Sequence, residues 1–175
     1  MKKFKLTSEF IVDISGVKLF RIKALIEFGN VKAGDLGGYI EKEENLSHMG
    51  DAWVFGNARV FGNARVSGNA WVSGNAWVSG NARVSGNARV FGDAQVSGNA
   101  RVSGDKDYAY AHGFGSCNRT TTFFRLKDGD VGVRCGCFYG TLAQFRDKVC
   151  ETHGETKKAQ EYLMLADLME IRFKN

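Results

Sequence analysis

The stretch Ala52-Trp53-Val54-Phe55-Gly56-Asn57-Ala58-Arg59-Val60-Phe61-Gly62-Asn63 opens a run of nine hexapeptides that ends at Asp105. Each reads Ala-x-Val-x-Gly followed by Asn or Asp. A fixed short period means a stack of equivalent structural units. Successive side chains of a strand point to opposite faces. Ala and Val, two positions apart, therefore point to one side, and the residue between them points to the other. The Gly-Asn or Gly-Asp pair supplies a sharp corner, because Gly adopts positive φ freely and Asn and Asp tolerate it best among the rest. The nine Ala, from Ala52 to Ala100, and the Val after each are the expected interior.

The array resembles the left-handed parallel β-helix of hexapeptide-repeat proteins, in which three hexads make one triangular coil. The resemblance implies three full coils and a mainly β fold. Residues 46–105 form the helix, with Leu46 to Asp51 as a degenerate first hexad. Residues 1–45 form an N-terminal β-hairpin cap, and residues 106–175 a C-terminal ββαα module. Asn side chains at stacked corners are expected to hydrogen-bond along the ladder.

With three hexads to a coil, period eighteen sorts the outward residues onto three faces. Face one presents Trp53, Trp71 and Arg89, with Phe55, Ser73 and Phe91 after the Val. Face two presents Arg59, Trp77 and Gln95, with Phe61, Ser79 and Ser97. Face three presents Arg65, Arg83 and Arg101, with Ser67, Ser85 and Ser103. Exposed aromatic patches mark interfaces, and Trp is enriched at their centres. Trp53, Trp71, Trp77, Phe55, Phe61 and Phe91 are therefore the expected contacts of a parallel homotrimer. Trp–Arg cation–π stacking within one chain is the other use for these rings.

Face three is the only outward row of one residue type. Like charges opposite one another on a sheet are destabilising, and guanidinium forks suit phosphate and carboxylate. The row Arg65, Arg83, Arg101 is the first candidate site for a small anionic, nucleotide-like ligand or an acidic protein surface. Solvation of a charged face is the plain alternative. The residues following the array, Tyr108, Tyr110, His112 and Arg134, are the second candidate.

The 175 residues carry 24 Lys and Arg against 19 Asp and Glu. The first 51 residues balance, and most of the excess lies in the repeats. That mild charge is not a polybasic arm, so sequence-specific nucleic-acid binding is not expected. No apolar run approaches the ~18 residues of a membrane span, and no leader-like segment follows the basic start. A cytoplasmic protein is expected, with no membrane partner and no cofactor. Cys117, Cys135, Cys137 and Cys150 show no metal-site or C-x-x-C spacing and read as structural thiols, with Cys135 and Cys137 on one strand face.

In the flanks, Phe10 to Ile14 and Val17 to Lys23 read as a hairpin around Ser15-Gly16. Thr120 to Lys127 and Val131 to Cys137 read as strands joined by Asp128-Gly129-Asp130. Thr141-x-x-Gln144 is a capping box opening a helix that Gly154 closes. A second helix follows from about Thr156 to Phe173, with Ala159, Tyr162, Leu163, Ala166 and Met169 on one face.

Two features together resemble the hexapeptide-repeat proteins of phages and prophages, which often carry acyltransferase-like or polymer-forming labels. One is Leu19-Phe20-Arg21-Ile22-Lys23-Ala24-Leu25 leading to Gly34-Asp35-Leu36-Gly37-Gly38-Tyr39-Ile40-Glu41 and Glu44-Asn45-Leu46-Ser47. The other is the Gly-Asn-Ala-x-Val array behind it. The resemblance implies a trimer in a bacterial host cell and brings no catalytic residues with it.

Three functions are compatible with these features. A non-catalytic trimer that captures a host protein or a small anion, and so antagonises host defence, uses the Arg and aromatic surfaces. An acyl-CoA-dependent acyltransferase needs a general base in reach of its proton. The array holds no inserted loop and no His, and of His48, His112 and His153 only His112 closely follows a coil. A structural phage component needs no ligand.

Overall fold

Each hexad forms a two-residue strand, and its Gly turns the corner with φ between 58° and 67° from Gly56 to Gly98. In the computed structural model, which describes residues 1–174, the nine hexads stack into a three-faced β-solenoid. Face one holds β4 (Trp53–Val54), β7 (Trp71–Val72) and β10 (Arg89–Val90). Face two holds β5 (Arg59–Val60), β8 (Trp77–Val78) and β11 (Gln95–Val96). Face three holds β6 (Arg65–Val66), β9 (Arg83–Val84) and β12 (Arg101–Val102). Within each face the strands are parallel, and the register pairs the expected residues: Trp53 with Trp71 with Arg89, and Arg65 with Arg83 with Arg101. Backbone N–H groups donate up the stack, as from Trp53 to the Ala70 carbonyl at 3.1 Å and from Arg65 to the Ala82 carbonyl at 2.9 Å.

Every repeat Ala and every Val through Val96 is 0% exposed. The interior is narrow, so small Ala and stiff β-branched Val fill it without voids. Corner amides pair along the stack, Asn63 to Asn81 at 3.3 Å, Asn69 to Asn87 at 3.2 Å and Asn75 to Asp93 at 3.2 Å.

The solenoid starts earlier than the repeat consensus. Tyr39 of β3 (Leu36–Ile40) pairs in parallel with Arg59, and Leu46 bridges in parallel to Val66. These offsets are two positions longer than the eighteen of the later rungs. The two extra residues fall in the turn between Leu46 and Ala52. Faces two and three thus each gain a rung, and three coils become nearly four. Asn45, fully buried, completes the early rung by donating to the carbonyls of Gly62 at 3.1 Å and Ala64 at 2.9 Å.

β1 (Phe4–Val12) and β2 (Lys18–Ala24) form the expected hairpin, with β1 reaching back to Phe4. The hairpin joins β3 antiparallel and so extends face two sideways into a six-stranded sheet. Phe4, Ile22, Val31 and Leu46 close the first end of the core.

At the other end, β13 (Tyr108–His112), β14 (Thr120–Arg125), β15 (Val131–Cys135) and β16 (Phe138–Thr141) form an antiparallel sheet. The outer two strands extend the expected pair. One face turns Tyr108 and Phe124 onto the solenoid core, and the other turns Phe123 and Val133 to the helices. β14 runs across the last coil: Ala100 bridges Leu126, and the Thr122 hydroxyl accepts the Gln95 N–H at 2.9 Å. α1 (Leu142–His153) starts at the Thr141 capping box, with Gln144 N–H to Thr141 Oγ1 at 3.3 Å and Thr141 N–H to Gln144 Oε1 at 2.9 Å. α2 (Lys157–Phe173) packs Ala159, Tyr162, Ala166, Met169 and Phe173 inward.

Cys135 and Cys137 do not share a buried strand face. β15 ends at Cys135, Gly136 turns the chain at φ 57°, and Cys137 is left exposed.

Candidate functional site

Face three carries the ladder where the period placed it. Arg65 and Arg83 are exposed and Arg101 is half-buried. Arg101 is held flat by its own surroundings, its Nη1 donating to the carbonyls of Ala100 at 2.8 Å and Asn81 at 3.0 Å. Arg65 and Arg83 have no ion pair or side-chain hydrogen bond among the described residues. The ladder borders two grooves. On the side of the Asn63, Asn81 and Asn99 corner lies one of about 680 Å³, where Lys42 and Lys127 add to the three Arg and Glu44 is the single carboxylate. Lys42 reaches the Asn63 amide oxygen at 3.5 Å. Five cations around one concavity raise the local concentration of anions. Lys42 and Lys127 lie outside the repeats, on the segments that cross the two ends of the solenoid, so periodicity could not find them.

On the other side of the ladder, Ser67 and Ser85 share a groove of about 610 Å³ with Glu43, Glu44 and His48. His48 is tied down. Its Nδ1 accepts the Lys3 N–H at 3.1 Å, its ring stacks on Phe4 at 4.3 Å, and its Nε2 faces Glu43 at 3.8 Å. Glu43, paired with Lys2 at 2.9 Å, has its carboxyl held below the usual range by the Lys2 hydrogen bond first, then by the Lys2 charge, against some desolvation.

The second candidate group does not form one site. Tyr108, Tyr110, His112 and Arg134 lie on one face of the antiparallel sheet by register. Tyr108 is 4% exposed, and burial pushes its hydroxyl up to about 12. It plugs the end of the solenoid core and presents almost no surface. Tyr110 is half-buried against Gly92 and the Phe91 ring. His112 is at the far end, its Nδ1 2.9 Å from Thr120 Oγ1.

The aromatic faces also depart from expectation. Trp53 is 1% exposed, not outward on an open face. Phe4 and Phe28 cover it with ring centroids at 6.2 and 5.3 Å. Both come from the N-terminal segment, which is distant in sequence and so invisible to the hexad pattern. Trp71 is half-buried between Phe55 and Arg89, and Trp77 between Phe61 and Arg59. Phe91 remains 49% exposed.

Among the described residues, no group of three or more His, Cys, Asp or Glu is placed to hold a metal ion. Among the described residues, no helix is long and apolar enough to cross a membrane.

This three-faced stack of short strands defines a β-solenoid repeat protein. Its repeats at residues 64–80, 76–95 and 94–105 are similar to the YdcK beta solenoid repeat. No curated protein matches the chain.

Proposed function

We propose that the protein is a non-catalytic binding protein that holds a small anionic, nucleotide-like ligand in the face-three groove. The observation that carries this reading is the charge of that groove: Lys42, Arg65, Arg83, Arg101 and Lys127 against Glu44 alone. Arg and Lys pair with phosphate through charge-assisted hydrogen bonds, which are the strong class. A homotrimer closed through faces one and two, of the phage type the sequence resembles, leaves face three outward and open. In a bacterial host cell, removal of an anionic signal would antagonise host defence.

The acyltransferase reading would now rest on His48 beside Ser67 and Ser85. The hydrogen bond from Lys3 N–H occupies the Nδ1 lone pair, so the neutral ring carries its proton on Nε2. No lone pair is left to take a proton from a substrate or a Ser, and a general base needs one.

The test is thermal unfolding with inorganic sulfate and with ADP. A ligand of the native state raises the melting temperature by mass action. Both should do so, and the variant with Arg65, Arg83 and Arg101 all changed to Gln should lose the rise while keeping its native mass. A wild-type protein indifferent to both anions, or a triple variant that still responds, overturns the reading.

A further inference from the structure

The C-terminal module holds a pocket apart from the solenoid grooves. It lies between the end of β15, the start of β16 and the two helices, and encloses about 220 Å³. At liquid density that is room for roughly seven water molecules. Its walls are the rings of Phe138, Phe145 and Tyr162, the Val149 side chain and the Cys135 thiol. An apolar pocket with a few converging polar groups is the usual form of a small-molecule site.

The charged groups at its mouth are basic. Arg119 and Lys148 line it beside His153, Ser116 and Thr152, and no carboxylate does. Lys148 is turned to Glu151 at 2.9 Å. Arg119 has no ion pair or side-chain hydrogen bond among the described residues, yet its place is set. Its guanidinium lies across Gly136, where a Cβ would collide with it. The lip before it is fastened to α2: Gly115 N–H donates to Glu161 Oε2 at 2.7 Å and Ser116 N–H to Tyr162 Oη at 3.0 Å. Between lip and Arg119, Cys117 and Asn118 both adopt left-handed φ, 59° and 46°. Two such non-Gly residues in succession are strained, and backbone strain concentrates where a binding group must be presented.

We infer that this pocket binds a small monocarboxylate with an apolar body. The apolar body lies against Phe138, Phe145 and Val149, and the carboxylate pairs with the Arg119 fork. A neutral ligand would leave Arg119 unused, and a cation would meet its guanidinium.

Benzoate is the probe. Titration followed by amide chemical shifts should show saturable binding in the millimolar range or tighter, with the largest shifts at Val149, Tyr162 and Arg119. Arg119→Gln, an exposed change that leaves the core intact, should weaken binding by roughly tenfold or more, as loss of a charge-assisted pair does. Arg119→Lys should recover part of it. Benzyl alcohol should bind more weakly than benzoate. The variant lacking the three ladder Arg should bind benzoate unchanged, which separates this site from the face-three groove. Absence of saturable binding, equal binding of benzyl alcohol, or an Arg119→Gln protein with wild-type affinity each overturns the inference.

Discussion

The guanidinium of Arg89 stands 5.1 Å over the ring of Trp71, its neighbour one rung down on face one. On face two Arg59, from the rung before Trp77, stands 5.3 Å over its ring. Both tryptophans are thus half-covered within one chain, and each keeps an open side. Loss of the cation–π contact alone costs about 0.5–1 kcal/mol at such a site. Loss of a Trp anchor from a subunit interface costs about 2 kcal/mol or more. Trp71→Ala with Trp77→Ala should therefore lower the mass seen by light scattering, in addition to a small loss of stability. A wild-type protein already monomeric at micromolar concentration sinks the trimer.

Lys3 is 1% exposed and donates its ammonium to the carbonyls of Ala52 at 2.7 Å and Gly50 at 3.1 Å. Desolvation lowers its pKa to about 8, opposed by the Asp51 charge. Between that value and the ordinary 10.5, the unfolded chain binds more protons than the native one. Stability contributed by this group therefore rises with pH across that window. The difference between wild type and Lys3→Met in urea unfolding should follow that rise. A pH-independent difference would refute the buried ammonium.

Gly98 turns its corner at φ 62°, and the Tyr139 hydroxyl sits where its Cβ would be. Gly98→Ala should cost about 1–2 kcal/mol for the left-handed backbone, with displacement of Tyr139 in addition. Gly104 has no positive φ and open space around its would-be Cβ. Gly104→Ala should be close to neutral in the same denaturant titration. Equal effects of the two would mean that corner geometry does not set the cost.

Asp107 ends the solenoid by accepting from Ser103 N–H at 2.9 Å, Gly104 N–H at 3.1 Å and Ser103 Oγ at 2.7 Å. Burial alone would raise its carboxyl, and these hydrogen bonds outweigh burial and hold it below the usual range. The stabilisation is present above the unfolded value of about 3.9 and is lost as pH falls through the lower native value. Asp107→Ala should cost about 1–3 kcal/mol at neutral pH, with the gap to wild type closing in acid. A gap that persists at low pH rules out the carboxylate as its cause.

The hexads made the three faces and their residues legible, because one strand-and-corner unit repeats with unbroken phase from Ala52. Of the two earlier rungs, the one at Leu46 was legible as a degenerate hexad. The one at Tyr39 was not, because Gly38 stands where the consensus has Ala and the extra turn residues after Leu46 shift the phase. Trp53 was misplaced because Phe4 and Phe28, which cover it, belong to no repeat. The ladder was visible in sequence, whereas the groove was not, since Lys42 and Lys127 reach it only through the end segments. The strands Tyr108–His112 and Phe138–Thr141 were missed because Gly and Cys interrupt their surroundings, the first alternates Tyr with Ala rather than apolar with polar residues, and the second is only four residues long.

β14 lies across the final coil, antiparallel to it at Ala100 and Leu126. The stack therefore acts as a ruler with a fixed stop. Eighteen further residues, inserted between Gly80 and Asn81, would slide the helical module outward by about 4.8 Å and keep its orientation. Six residues would instead swing it to the next face, carrying Arg101 and Lys127 together away from Arg65 and Lys42. The distance and the bearing between the two ends of the molecule are thus separate quantities, one counted in turns and the other in thirds of a turn.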